Sequence, residues 1–126
     1  MRRSELWVAA LAVAGAMLAA GGAFAQTGDA AKGADAYDDR CSGCHVTGGG
    51  VGQGPNLAGV VGRKAGAVAG FAYTAALKGS GLTWTPANLD RWLAGPQQVV
   101  PGTAMVAVVP DPAERRELIA YLAGLK

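Results

Sequence analysis

Apolar residues recur at helical spacing in three stretches of this chain, and nowhere do they alternate with polar ones long enough to suggest a useful strand. In residues 29–40, Ala30, Gly33, Ala34 and Tyr37 fall at i, i+3, i+4 and i+7, with Asp and Lys on the other face. A second helix is predicted to begin at Thr85-Pro86, a cap followed by a first-turn proline. It places Leu89, Trp92 and Leu93 on one face and stops at Gly95-Pro96. The last is the clearest. Asp111 is the expected N-cap, Pro112 the first helical residue, and Glu114 stands at capping-box spacing. Leu118, Tyr121, Leu122 and Leu125 then form one apolar stripe. Residues 74–78 allow one further short helix. Residues 46–72 are rich in Gly and lack sustained periodicity, so they read as loop. A loop that long in a compact domain implies that something other than protein is being wrapped. The expected class is all-α, with loops between short helices and no internal repeat.

The first 25 residues have a different pattern. Met1-Arg2-Arg3 supplies a positive start, Leu6 to Ala20 is apolar without a charge, and Ala23-Phe24-Ala25 is a small-x-small site. Residues 1–25 thus read as a secretory signal peptide cleaved before Gln26, leaving residues 26–126 as one domain. A retained membrane anchor is the competing reading, although the apolar run is short for a span of roughly 20 residues.

Composition narrows the classes. Charged residues are 16% and hydrophobic ones 51%, which argues against disorder, and Gly and Pro make up about a fifth of the 126 residues. Without Arg2, Arg3 and Glu5 the basic excess falls from two to one. That balance is too even to suggest nucleic acid or an anionic membrane surface as partner. A chain of this size buries a modest core, so some staple is expected. Export would allow the two cysteines to close a disulfide, but their spacing points elsewhere.

Cys41-Ser42-Gly43-Cys44-His45 is a C-x-x-C-H sequence, the attachment signature of c-type haem. Two thiols three positions apart can each add to one of the two vinyl groups of a porphyrin. The following His is then brought under the iron as an axial ligand. A thioredoxin-like redox pair would sit at a helix start in a βαβ context that is absent here. Half a zinc site would need a second Cys pair or another His, and the chain has neither. A six-coordinate iron needs a second ligand, and His45 is the sole His. Met105 is the one Met left after signal cleavage, in the constrained Pro101-Gly102-Thr103-Ala104-Met105 turn. A lone Met is usually packing. Here thioether ligation is the leading expectation, beside an open site or a Lys ligand. His/Met ligation favours ferrous iron and raises the potential.

With these residues in view, the chain resembles a class I c-type cytochrome, of the soluble mitochondrial and bacterial type, over essentially all of residues 29–126. The resemblance implies short helices and loops wrapped around one covalent haem c, with the N- and C-terminal helices crossing near Gly33, Tyr37, Leu118 and Tyr121. Gly54-Pro55-Asn56-Leu57 resembles the segment whose Pro55 carbonyl accepts the imidazole N–H of His45. Arg63, Tyr73 and the indole N–H of Trp84 are expected from the resemblance to donate to a haem propionate, whose burial would otherwise be very unfavourable. Trp92 stands where the family commonly has a Tyr hydroxyl beside the Met sulfur, and it can only donate. The loop from His45 to Pro55 is two residues shorter than in the mitochondrial type. Gln97, Gln98 and Ala104 occupy positions where mitochondrial members carry partner-binding lysines; Arg40 and Lys78 remain as flanking charges.

The function this implies is an exported, periplasmic one-electron carrier, monomeric, meeting redox protein donors and acceptors transiently at an exposed haem edge near Cys41 and Cys44. No Ser/His/Asp or paired-carboxylate arrangement suggests an enzyme. Two alternatives stand beside it: a subunit permanently docked on a periplasmic dehydrogenase, and a haem sensor or peroxidase with a labile sixth ligand.

Overall fold

Four helices begin at an Asp or Thr whose side chain accepts an amide hydrogen bond from the first turn, which is why the chain turns helical where it does. The computed structural model describes residues 28–126 and is helical without a named strand there; the expected signal segment, residues 1–25, lies outside the described residues. Helix α1 (Ala30–Arg40) is capped by Asp29, which accepts from the Ala31 amide at 2.9 Å. Helix α2 (Ala75–Lys78) is capped by Thr74 and α3 (Pro86–Ala94) by Thr85, each with its hydroxyl on the amide three residues on. Helix α5 (Pro112–Gly124) is capped by Asp111 through the Ala113 amide at 2.9 Å.

Two expectations are revised. Gly95-Pro96 ends α3, as the sequence suggests, but Pro96 also opens a further turn, α4 (Pro96–Val99). Pro is at home in a first helical turn, because its missing N–H has no partner there anyway. Glu114 does not reach back to complete a capping box. It forms a two-point ion pair with Arg40 of α1, with Nη2 to Oε2 at 3.0 Å, so the tertiary partner wins over the local one.

The centre of the fold is the crossing of α1 on α5, with α3 packed against α5 and α4. Gly33 and Gly28 make the first contact possible. A Cβ on Gly33 would stand 2.6 Å from the Glu117 carbonyl carbon and 2.8 Å from Tyr121 Cβ, so no larger residue fits without parting the helices. Next to it the Tyr37 and Tyr121 rings lie 5.4 Å apart, and Leu118 and Leu122 are buried. Arg115 ties α5 to α3 through Asp90 at 2.8 Å, and also donates to the Val109 and Pro110 carbonyls.

Residues 46–72 contain no helix, as expected. Reciprocal backbone bonds anchor them, Gly62 to Trp84 and Trp84 to Arg63, both at 2.8 Å, beside an isolated bridge between Lys64 and Thr83. Positive φ at Gly59, Gly62, Gly66 and Gly70 lets this stretch curl rather than extend. No helix among the described residues is long and apolar enough to cross a membrane.

Candidate functional site

The helices and the long loop together enclose a cavity of about 430 Å³. Cys41, Cys44, His45, Pro55, Arg63, Tyr73, Trp84, Trp92 and Met105 all line it, although they come from five separate stretches of chain. The remaining wall is largely apolar: Leu57, Val60, Phe71, Leu77, Leu89, Leu93, Leu118 and Leu122.

The attachment motif sits where α1 ends. Cys41 is the C-cap residue, and the amides of Cys44 and His45 both bond back to its carbonyl, at 3.1 and 2.9 Å. This tight turn brings both sulfurs and the imidazole to one side of the cavity. Burial pushes the free Cys41 thiol up to about 11, with Arg40 opposing and Cys44 and Glu114 adding to the rise. Cys44 is exposed and its thiol donates to Gln53 Oε1 at 3.3 Å.

His45 is oriented by its own loop. Its Nδ1 lies 2.8 Å from the Pro55 carbonyl, which can only accept, so the N–H is on Nδ1 and the Nε2 lone pair is free for a metal. Gly54 presses on the ring face: a Cβ there would stand 2.6 Å from His45 Nδ1. From the other side the Tyr37 hydroxyl donates to the His45 carbonyl at 3.2 Å. Burial raises the Tyr37 pKa, so this donor keeps its proton throughout the physiological range.

Met105 stands on the cavity wall with its sulfur accepting from Trp92 Nε1 at 3.1 Å. Trp92 is buried and packs edge-on against Trp84, with ring centroids 4.9 Å apart. A thioether sulfur is a soft donor, and with imidazole it forms a pair suited to iron rather than to a hard cation.

The three expected propionate donors differ in what they already hold. Arg63 donates to the Ala58 and Asn56 carbonyls at 3.0 and 2.8 Å, which pins the loop. The Tyr73 oxygen accepts from the Val68 amide at 3.1 Å, leaving its own proton to donate into the cavity. The Trp84 indole N–H has no acceptor among the described residues. Two donors without a protein acceptor, a free imidazole nitrogen, a thioether and two thiols suit an acidic, flat, largely apolar metal complex. The residues fit haem.

Gly54, Tyr37 and Gln97, whose Nε2 donates to the Met105 carbonyl at 3.2 Å, contribute to the site without having been singled out from the sequence for it. Gly54 adjoins the recognised Pro55, so the loop itself carried that signal, whereas a lone Gln or a core Tyr carries none.

Comparison with known proteins agrees with this chemistry. The family model described as Cytochrome c matches residues 30–126. Cytochrome c of Chlamydomonas reinhardtii is 46% identical over 103 residues, covering 79% of this chain and 92% of the relative. Cytochrome c2 of Rhodomicrobium vannielii is 43% identical over 116 residues, 90% of this chain and 92% of the relative. Among solved structures, cytochrome cH from Methylobacterium extorquens aligns with a TM-score of 0.72 and 49% identity, covering 76% of this chain and 98% of that one.

Proposed function

This chain belongs to the cytochrome c family and binds one haem c covalently, and on that premise we propose that it is an exported, periplasmic one-electron carrier whose iron is held by His45 and Met105. When bound, the haem supplies a metal that takes up and gives back a single electron, in a setting that favours the ferrous state. The observation that carries the ligation reading is the pairing of two fixed donors on one cavity: His45 held through Pro55, and Met105 held through Trp92. Both ligands are oriented before any change of oxidation state, so little has to move when the electron arrives.

The residues' roles follow from their contacts. Cys41 and Cys44 attach the group, Tyr73 and Trp84 offer donors to its carboxylates, and Arg63 holds the loop that closes over it. The apolar wall excludes water from the iron. Export is supported by the Ala23-Phe24-Ala25 site, which would leave residues 26–126 as the mature protein.

A redox titration of the holoprotein followed in the visible tests the proposal. One reversible one-electron transition is expected, with the ferric absorption band of Met–iron ligation present at neutral pH. A ferric spectrum without that band would overturn the Met105 assignment.

Partner docking is expected to be weakly steered. Ferric haem with two propionates brings the net charge of residues 26–126 from +1 to about zero. Arg40, at the cavity rim, is matched by Glu114, and Gln97, Gln98 and Ala104 are uncharged. Val106 and Val108 beside Met105 are exposed, so the surface near the ligand is apolar. Electron-transfer rates with the native partner should therefore change only a few-fold between low and roughly 0.15 M ionic strength. Stopped-flow rates that fall more than about tenfold would reveal a basic patch strong enough to steer association.

A further inference from the structure

The segment that carries Met105 is almost without main-chain support. Thr103 bonds back to Val100 at 3.1 Å, and the next backbone bond is Val109 to Leu93 at 2.7 Å. Among the described residues, Ala104 to Val108 form no backbone–backbone hydrogen bond at all. Segments of this kind open at the low end of a protein's range of local stabilities. Two side chains hold this one, and they act on opposite ends of the same residue: Trp92 on the Met105 sulfur, Gln97 on the Met105 carbonyl.

Gln97 does more than touch that carbonyl. Its Nε2 donates to Thr103 O at 2.6 Å and to Met105 O at 3.2 Å, while its Oε1 accepts from the Gly102 amide at 3.3 Å. One amide group thus spans four residues of the segment, from a helix just before it. The task needs both a donor and an acceptor. Lys has three donors and no acceptor, Glu has acceptors only, and Asn is one methylene shorter. Gly102, whose amide donates to Oε1, sits at φ 88°, a left-handed conformation open to Gly at no steric penalty.

We propose that Gln97 is a positioning residue for Met105: its amide keeps the segment closed over the cavity and sets how readily Met105 yields to a competing ligand. The inference rests on the His45/Met105 reading above. An incoming ligand must first open the segment, so the free energy of opening is subtracted directly from its binding free energy. Gln97→Glu gives up two of these neutral hydrogen bonds and Gln97→Ala all three, and at the lower end of their net worth this predicts a tighter apparent affinity by about fivefold to thirtyfold.

The test is a visible titration of the ferric holoprotein with imidazole, in the parent and in Gln97→Ala, Gln97→Glu, Gln98→Ala and Met105→Ala. Gln97→Glu keeps length and the acceptor for Gly102 but turns a carboxylate on two carbonyls. Both Gln97 variants should bind imidazole more tightly by the factor above, with Gln98→Ala within about twofold of the parent. Hydrogen exchange at the Gly102 amide should speed up in Gln97→Ala, a readout that does not depend on the iron. Imidazole affinities within about twofold of the parent in both Gln97 variants overturn the proposal, whether or not exchange at Gly102 changes. Met105→Ala separates this from the ligation reading. If it binds imidazole no more tightly than the parent, Met105 is not the ligand. If it binds far more tightly while both Gln97 variants match the parent, Met105 stands as ligand and the role of Gln97 falls.

Discussion

Cys41→Ala combined with Cys44→Ala, produced without covalent haem, should yield a chain that is unfolded at room temperature. The side chains that would form its core face the cavity from separate stretches: Val60 from the loop, Trp84, Leu89, Trp92 and Leu93 from the α3 region, Leu118 and Leu122 from α5. Without a group between them these residues surround about 430 Å³ of space. At roughly 24 cal/mol per Å³, an empty cavity of that size costs about 10 kcal/mol, an upper figure because its mouth admits water. Total stability for a domain of this size is itself only about 5–15 kcal/mol. The α1–α5 crossing is the best-packed part that remains, and two helices alone do not make a stable domain. Circular dichroism should show a largely disordered chain with no thermal transition. A cooperative melt in the double variant would refute this account.

Met105→Ala should act on the redox chemistry and leave attachment alone. The thioethers of Cys41 and Cys44, and His45 with its Pro55 partner, are untouched. On the proposed ligation, water would take the vacated place, an oxygen donor that prefers ferric iron where a thioether prefers ferrous. The potential should fall by on the order of 0.1 V, a fraction of the roughly 0.8 V range that axial ligands span. The Met–iron band should vanish from the ferric spectrum. The Trp92 indole loses its acceptor at the same time, which adds a buried, unpaired donor to the effect. An unchanged potential and spectrum would show that another group is the true ligand.

The parts of this protein that the sequence made legible are those fixed locally. The caps at Thr85 and Asp111, the buried face of Leu89, Trp92 and Leu93, and the C-x-x-C-H turn each follow from residues within a few positions of one another. The crossing of α1 on α5 was legible through the family resemblance, with Gly33 at its closest point. What local pattern could not show is set by distant partners. Glu114 has the spacing of a capping box, yet Arg40, seventy-four positions away, takes both its oxygens. Pro96 reads as a stop signal and is also a start, since the rule that ends one helix before Pro places Pro first in the next. Gln97 registers in the sequence only as a missing charge. Its three bonds depend on how the Val100–Met105 turn folds back over α4, which no periodicity encodes.

Residues 103–109, Thr-Ala-Met-Val-Ala-Val-Val, hold no charge and three valines, the composition of segments that stack into cross-β fibrils. In the folded protein Val106 and Val108 already face solvent, and unpaired main-chain groups run through the middle of the stretch. What keeps it from templating a second copy is anchorage: the sulfur and carbonyl of Met105 at the centre, the Val109 amide at the end. Pro101 and Pro110 bracket it, and as residues that cannot donate to a ladder they limit how far a pairing could spread. Freeing Met105 from Trp92 and Gln97 would therefore also release an uncharged, valine-rich segment, and self-association is the failure expected to follow.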